Sequence, residues 1–223
     1  MSKGVFTHLG LCGLLVILGL ATAVQGAAPP QSDPLTQVKQ SVTAVIAVFH
    51  EQHMPLAERR EKLRVLAARY FDFADMARSA LGYHWRDLTP AQRAEFVPLF
   101  TTFIQDAYLS KLQDYTVSKV QEEAKTATIT FSGEKFDGAE DAEVSSSVVL
   151  HDQQDPIAID YLMHRSDGVW RIYDLTVDAI SVIANYRNQF NRVIDNDGYD
   201  SLLAQLKTKQ AQLRQYLERP PHS

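Results

Sequence analysis

Two histidines that stand three positions apart are candidate metal ligands. His50 and His53 lie in the run His-Glu-Gln-His, with Glu51 after the first histidine. A helix would bring both imidazoles to one face, but a zinc site takes three or four protein ligands. The run stands at the polar end of a predicted helix. We therefore interpret it as a solvated helix terminus and predict no metal site.

Two carboxylates near the end of a predicted strand are candidates for acid–base chemistry. Asp174 and Asp178 lie beside aromatic residues, and an apolar cleft can raise the pKa of a carboxylate enough to make it a general base. The structural alternative is an ion pair or a helix cap, and Asp178 is placed to cap a helix beginning near Ile180. Asp160 should point away from Tyr161, because adjacent strand residues alternate faces. We favour the structural alternative and predict no catalytic residues.

The run Asp195-Asn196-Asp197-Gly198 resembles part of a calcium-binding loop. If Gly198 took the turn position, Val193 would stand at the first ligand position and Ala204 at the position of the bidentate glutamate. Neither side chain binds calcium, so we predict a turn. The sequence also contains no Gly-rich phosphate loop, G-x-S-x-G or H-E-x-x-H motif.

The first 27 residues have the features of a cleaved secretory signal. Lys3 precedes the apolar run Leu9–Leu20, and small residues follow it. The run is short for a hydrocarbon core of ~30 Å, which favours a signal over an uncleaved anchor. Cys12, the only cysteine, lies inside this run. The mature chain would then have no disulfide, thiol nucleophile or cysteine metal site.

The composition is that of an ordinary globular protein. The chain has 223 residues, of which 45% are hydrophobic and 22% charged, which excludes a disordered or collagen-like chain. The net charge is −5, and without residues 1–27 the 21 basic and 27 acidic residues give −6. With no basic block, the chain is a poor nucleic-acid binder, and we predict no such partner.

The elements that must position the candidate residues form three blocks, which predict an α+β domain. Helical spacing predicts helices over 34–113, and alternation predicts strands over 114–178, with a hairpin turn at Ser166–Gly168. Helices follow over 179–218. We expect a curved antiparallel sheet of about four or five strands wrapped by helices in one domain, 34–218, after a linker at 28–33 and before a tail at 219–223.

Particular residues predict where these elements begin and break. Asp33 with Pro34 should start the first helix, Pro55 the second and Thr89 with Pro90 a later one, which Pro98 should bend. A short helix should span about 72–81 and end at Gly82. The predicted strands are Thr126–Phe131, Val144–Leu150, Ile157–His164 and Val169–Val177.

Large apolar residues are concentrated near the junction of helices and sheet. Phe96, Phe100, Phe103 and Tyr108 share one helix, while Tyr161, Met163, Trp170, Ile172 and Tyr173 share a hairpin. They could fill a core, or they could line a cavity between a concave sheet and a bent helix. The sequence alone leaves both interpretations open.

Four groups of motifs follow one another along the chain. They are Phe71–Ala77 with Ala80–Gly82 and Trp85–Arg86, Thr89–Phe96, Trp170–Asp174 and Ser181–Phe190. Together, and in this order, they resemble the MlaC family of periplasmic phospholipid-binding proteins, also known as toluene-tolerance auxiliary components. The similarity covers roughly Leu35 to Leu213, and Ala179 departs from it because the family often has Gly there.

The resemblance implies a fold similar to the NTF2-like cone and a soluble periplasmic carrier without enzymatic activity or cofactor. Its cargo would be phospholipid, moved between an outer-membrane lipoprotein complex and an inner-membrane ABC transporter with a lipid-binding ring, which maintains outer-membrane lipid asymmetry. Each buried methylene contributes about 0.8 kcal/mol, so such a cavity must be nearly as apolar as a bilayer. The alternatives are a carrier of another lipid such as a hopanoid, a small-molecule enzyme on an NTF2-like scaffold, and an adaptor with a filled interior.

On this interpretation a set of apolar residues should contact the acyl chains. Tyr186 and Arg187 belong to the family's helix motif, and Arg187 would either bind a phosphate at the mouth or clamp its helix to the sheet. The expected lipid-binding residues are Phe96, Phe100, Phe103, Ile104, Tyr108, Val148, Leu150, Tyr161, Met163, Trp170, Tyr173, Val177, Val182, Tyr186 and Arg187.

Overall fold

The chain forms a block of helices, then an antiparallel meander, and then a second block of helices. This order confirms the predicted α+β class. The computed structural model describes residues 33–51, 53–114, 127–150 and 155–219. The predicted signal at 1–27, the linker up to residue 32, the predicted strand start at Thr126 and the tail from residue 220 lie outside the described residues.

Six α-helices and one 3-10 helix lie within the described residues. The helices are α1 (Pro34–His50), α2 (Leu56–Tyr70), α3 (Phe73–Leu81), the 3-10 helix (Gly82–Asp87), α4 (Pro90–Asp114), α5 (Val182–Asp197) and α6 (Tyr199–Glu218).

The predicted caps form for local reasons. Asp33 Oδ1 accepts a hydrogen bond from the Thr36 N–H at 2.6 Å. Thr89 and Gln92 form a reciprocal capping box, in which the Gln92 N–H donates to Thr89 Oγ1 at 3.2 Å and the Thr89 N–H donates to Gln92 Oε1 at 2.9 Å. His50 is exposed where α1 ends, as expected of a solvated helix terminus.

The sheet is a five-stranded antiparallel meander in the order β1-β2-β3-β4-β5. Ser166 pairs with Val169, and the turn residues Asp167 and Gly168 have positive φ of 52° and 77°, which matches the predicted hairpin. The strands are β1 (Thr128–Asp137), β2 (Asp141–Val149), β3 (Ile157–Ser166), β4 (Val169–Val177) and β5 (Ile180–Ser181).

The connection after β4 differs from the predicted helix start near Ile180. Val177 pairs with Ile180, and the two residues between them, Asp178 and Ala179, have positive φ of 46° and 63°. A two-residue hairpin turn of type I′ needs positive φ at both central positions. The chain therefore turns back and adds β5 before α5 begins at Val182.

The cap of α5 corrects the prediction that gave this role to Asp178. Ser181 Oγ accepts from the Ala184 N–H at 2.8 Å, and Asp174 Oδ1 accepts from the Ile183 N–H at 3.0 Å. The tight turn directs Asp178 to β3 instead, where its carboxylate accepts from the Ala158 N–H at 3.0 Å. Asp174 thus has the capping role that was the structural alternative to a catalytic one.

The buried apolar residues form three clusters. Phe71 and Leu175 are partly buried and pack against both the sheet cluster and the helix cluster. The sheet cluster is Val38, Val42, Ile46, Ala142, Val144, Val148, Leu150, Ile157, Ile159, Tyr161, Met163, Trp170, Ile172 and Val177. The helix cluster is Met76, Ala77, Ala80, Leu81, Leu88, Phe96, Phe100, Phe103, Ile104, Val182, Ile183, Phe190, Leu202 and Leu206. The outer cluster is Val45, Val48, Phe49, Leu63, Leu109 and Leu217.

Replacing Ala179 by glycine should stabilise the protein. An alanine at a φ of 63° places its Cβ against its own backbone, while glycine avoids this strain but makes the unfolded chain more flexible. The balance favours Ala179→Gly by about 0.5–1 kcal/mol, or about 1–4 °C in melting temperature.

Thermal unfolding measures this change, and Gly168→Ala in the other two-residue turn is the matched control. That control should lower the melting temperature, because it introduces a Cβ at a φ of 77°. A lower melting temperature for Ala179→Gly would show that the turn does not have this conformation.

Candidate functional site

An apolar cavity of about 170 Å³ lies where the three clusters meet. Val42 and Tyr161 come to it from the sheet cluster, Met76 from the helix cluster, and Phe49 and Leu63 from the outer cluster. The lining residues are Ser41, Val42, Val45, Phe49, Leu63, Arg64, Leu66, Ala67, Tyr70, Phe71, Phe73, Met76, Ile104, Gln105, Tyr108, Leu109, Tyr161, Ile172, Leu175 and Val182. The interior is therefore hollow at this junction.

Helical spacing explains the helical walls. On α1, Val42, Val45 and Phe49 recur at three and four residues, so they share the face that looks into the cavity. Ile104 and Tyr108 do the same on α4. The same three- and four-residue spacing thus supplies an apolar wall on both helices.

A β-bulge explains the sheet wall. Leu162 pairs with Asp174 but Met163 pairs with Ile172, so Tyr173 is an extra residue in β4. Residues three positions apart in a regular strand point to opposite faces, but the extra residue places Ile172 and Leu175 on the same face. Both side chains line the cavity, and Leu175 stands opposite Tyr161 in the ladder.

The segment between α2 and α3 is fixed to the sheet by hydrogen bonds. The Asp72 N–H donates to the Ile172 carbonyl at 2.9 Å, and the Asp72 carboxylate accepts from the Asp75 N–H at 2.8 Å and lies 3.0 Å from His164 Nε2. Burial acts to raise the pKa of Asp72, but these hydrogen bonds and the nearby positive charges outweigh it and hold that pKa below its ordinary value. The arrangement positions Phe71 and Phe73 in the wall.

The polar groups in the wall carry little charge. Burial raises the pKa of Tyr161, and burial with the neighbouring Tyr186 and Asp174 raises that of Tyr108, so both phenols stay neutral. The Ser41 hydroxyl donates to the Val38 carbonyl at 2.8 Å. Among the residues that the structure describes, Arg64 is the only one in the wall with a formal charge.

The comparisons with known proteins agree with this architecture. The model of the family described as MlaC protein matches residues 39–208, which is more than half of the chain. The chain belongs to the MlaC family. A similar solved structure is a phospholipid-binding protein from Ralstonia solanacearum in complex with a phospholipid, 22% identical, which aligns over 82% of this chain and 99% of its own with a TM-score of 0.66. That likeness shows the shared fold.

A helix that crosses a bilayer needs about 20 consecutive, predominantly apolar residues. None of the helices in the described ranges combines the length and apolarity needed to cross a membrane.

Four of the residues expected to contact acyl chains lie in the cavity wall of this MlaC-family protein. Ile104 and Tyr108 come from α4, Tyr161 from β3, and Val182 from the first turn of α5. These four converge from elements that are distant in sequence, as the cavity interpretation required.

The other aromatic residues of the expected set on α4 lie outside this wall. Phe96 and Phe100 are fully buried, and Phe100 and Phe103 meet Tyr186 edge to face, with ring centroids 6.2 and 5.8 Å apart. This packing corrects the expectation that Phe96, Phe100, Phe103 and Tyr186 line the cavity. They pack α4 against α5 because each ring faces the neighbouring helix.

The remaining expected residues of the sheet also lie outside the wall. Tyr173 is the bulge residue, so it leaves the cavity face and stacks on His164 with centroids 5.6 Å apart. The others are buried members of the sheet cluster, which also contains Val38, Val42 and Ile46 of α1. These others are Val148, Leu150, Met163, Trp170 and Val177.

Sequence reasoning missed the contribution of α1 and α2 to the cavity. The signal was present, because Leu63, Leu66, Ala67 and Tyr70 recur on one helical face and all four line the cavity. In the sequence, this spacing predicts the buried side of a helix. Periodicity identifies a buried face but does not show whether that face meets protein atoms or open space.

Arg187 lies outside the wall and contacts the end of α3. Its Nε–H donates to the Ser79 carbonyl at 2.6 Å, and a Cβ at Gly82 would stand 3.1 Å from Arg187 Cδ. Gly82 has a φ of +56°, so glycine serves both the turn and this close approach. The contact favours the clamp interpretation, with α5 held to α3 instead of the sheet.

Arg187→Ala should lower stability and leave phospholipid retention unchanged. The variant loses the hydrogen bond to Ser79 and the packing on Gly82, which together contribute about 1–3 kcal/mol. Thermal unfolding and phospholipid quantification of the purified protein measure the two effects.

Arg192→Ala is the matched control, because Arg192 is exposed on the same helix and donates to the Asn188 carbonyl within its own turn. Its stability should change by less than about 0.5 kcal/mol. Normal stability with lost phospholipid in Arg187→Ala would favour the headgroup interpretation instead.

Proposed function

We propose that this protein binds phospholipid acyl chains in the cavity and carries the lipid through the periplasm. It moves phospholipid between an outer-membrane lipoprotein complex and an inner-membrane ABC transporter with a lipid-binding ring, and so maintains the lipid asymmetry of the outer membrane. The observation that carries the proposal is an apolar cavity in a chain of the MlaC family, with one formal charge among the wall residues that the structure describes. The Ralstonia protein of the same fold, solved with a phospholipid, supports it, as does the predicted signal at residues 1–27.

A nearly apolar wall suits a carrier better than a catalyst. Transfer of each methylene from water contributes about 0.8 kcal/mol, so a lipid leaves a bilayer readily only for an equally apolar space. The candidate base Asp174 is committed to hydrogen bonds from Ser181 and the Ile183 N–H. Asp160 accepts from the Ser145 hydroxyl at 2.7 Å. We therefore propose a binding protein that uses no cofactor.

The cavity must enlarge to hold a whole lipid. Its volume of about 170 Å³ is close to that of an engineered cavity of about 150 Å³ that holds benzene, which suits a short length of one acyl chain. The helix α2 is the wall best placed to move, because its outer face meets solvent, with Val65 61% exposed. Movement of α2 away from β4, with the Arg64 hydrogen bond to Asp106 of α4 kept, would lengthen the apolar space without breaking the sheet.

Polar contacts at the ends of α2 would act as its hinges. The buried Arg59 guanidinium donates to the Val48 carbonyl and, at 2.6 Å, to the Glu51 carbonyl, which ties α2 to the end of α1. At its other end, α2 leads into Phe71, which is bridged to Ile172 of β4. The helix between these two fixed points carries Leu63, Leu66, Ala67 and Tyr70 of the wall.

Mass spectrometry of organic extracts from the purified protein tests the cargo directly. The proposal predicts phospholipid at close to one lipid for each protein molecule. A hopanoid or another neutral lipid would support the alternative carrier, a small metabolite would support the enzyme, and no extractable compound would support the filled adaptor.

Ala67→Trp should reduce phospholipid loading by about tenfold or more. The indole would occupy the cavity, and displacement of only two methylenes costs about 1.6 kcal/mol, which exceeds the free energy of a tenfold change. Quantified phospholipid in the purified variant measures the effect, and thermal unfolding verifies that the variant folds.

Ala68→Trp provides the matched control, because Ala68 is the next residue of α2 and is exposed. Its loading should equal that of the unmodified protein. Equal loading of both variants would show that the cargo does not occupy this cavity.

A further inference from the structure

We propose that Arg64 binds the phosphate of the lipid headgroup where the cavity meets solvent, with Arg60 reinforcing the positive potential. The protein would then select lipids that carry a phosphodiester over uncharged lipids with the same two chains. This inference rests on the proposed function, since it assigns a headgroup contact to the lipid whose chains occupy the cavity.

The position of Arg64 is the first argument. It alone is charged among the described residues of the cavity wall, and 30% of its side chain remains exposed. An arginine at such a boundary keeps its methylenes against apolar surface and its guanidinium towards water. A phospholipid has the same polarity profile, because its phosphate joins the apolar chains to a hydrated headgroup.

The charges around Arg64 are the second argument. Arg64 Nη2 donates to Asp106, whose side chain is 3% exposed. Arg60 lies one turn earlier on α2, attracts the Asp106 carboxylate, repels Arg64, and donates to the Leu217 carbonyl at 2.5 Å. Glu61 Oε2 lies 3.9 Å from Arg64 Nη1, but it is 68% exposed and its effect is screened by solvent. Two guanidinium groups therefore face one buried carboxylate.

The donor geometry is the third argument. A guanidinium has five N–H donors in a planar fork, and the hydrogen bond to Asp106 takes one of them. Asp106 fixes the orientation of the group from the protein side, so the remaining donors can meet phosphate oxygens in the forked, charge-assisted geometry. Asp106 is thus a positioning residue for Arg64.

The test must separate headgroup binding from a purely structural ion pair. Removal of Arg64 alone would leave Asp106 buried without its partner and could unfold the protein. The double variant Arg64→Gln/Asp106→Asn replaces the ion pair by neutral amides of similar shape and removes the guanidinium. Arg69→Gln is the matched control, because it removes one positive charge from an exposed position of α2 outside the wall.

The experiment loads each purified protein from detergent micelles that contain equal amounts of dioleoylphosphatidylglycerol and dioleoylglycerol. Mass spectrometry then gives the ratio of the two bound lipids. The unmodified protein should bind more dioleoylphosphatidylglycerol than dioleoylglycerol, and the Arg69→Gln variant should do the same. In the double variant, the ratio of bound dioleoylphosphatidylglycerol to bound dioleoylglycerol should fall by about tenfold or more. From detergent micelles in which dioleoylglycerol is the only lipid, the double variant should bind the same amount of dioleoylglycerol as the unmodified protein.

Three results would overturn the inference, and a fourth concerns the function on which it rests. An unchanged ratio in the double variant, or equal binding of the two lipids by the unmodified protein, would exclude a headgroup role for Arg64 and leave chain binding intact. Displacement of the bound phospholipid by glycerol 3-phosphate at comparable concentration would show a site for a free anion. Binding of neither lipid by the unmodified protein would contradict the proposed function itself.

Discussion

An apolar surface left unfilled inside a folded chain stays dry until another apolar molecule covers it, and this constraint governs the structure. The sheet cluster, the helix cluster and the outer cluster each pack tightly, yet they meet around about 170 Å³ of open space. Phe71 and Leu175 contact both the sheet cluster and the helix cluster, so they frame the gap. The walls are held by polar contacts that lie outside the gap, which leaves the apolar surface available for cargo.

Much of the fold was predictable because it depends on local chemistry. The caps at Asp33 and Thr89 and the turn at Asp167–Gly168 need only their immediate neighbours. The cavity wall was not predictable to the same degree, because it depends on the bulge at Tyr173 and on how α2 docks. Tyr173 was expected in the cavity as one of the large apolar residues of the hairpin, and Asp178 at the cap of α5 because it precedes the predicted helix start near Ile180. The bulge and the two-residue turn reverse both assignments.

The family motifs in this chain supply part of the cavity wall and part of its frame. Arg187 clamps α5 to the end of α3, and Tyr186 packs among the rings of α4. Arg59 and Arg64 on α2, outside those motifs, join that helix to α1 and α4. Resemblance therefore identified the family, whereas Arg64, to which we assign the headgroup contact, lies on a surface that only the three-dimensional arrangement brings together.

The most direct test of this account is a crystal structure of the protein loaded with a phospholipid whose acyl chains carry bromine atoms. The account predicts anomalous peaks between Met76, Tyr108 and Tyr161, with α2 farther from β4 than in the present structure. Bromine atoms located elsewhere on the protein, with the space between these three residues closed, would contradict it.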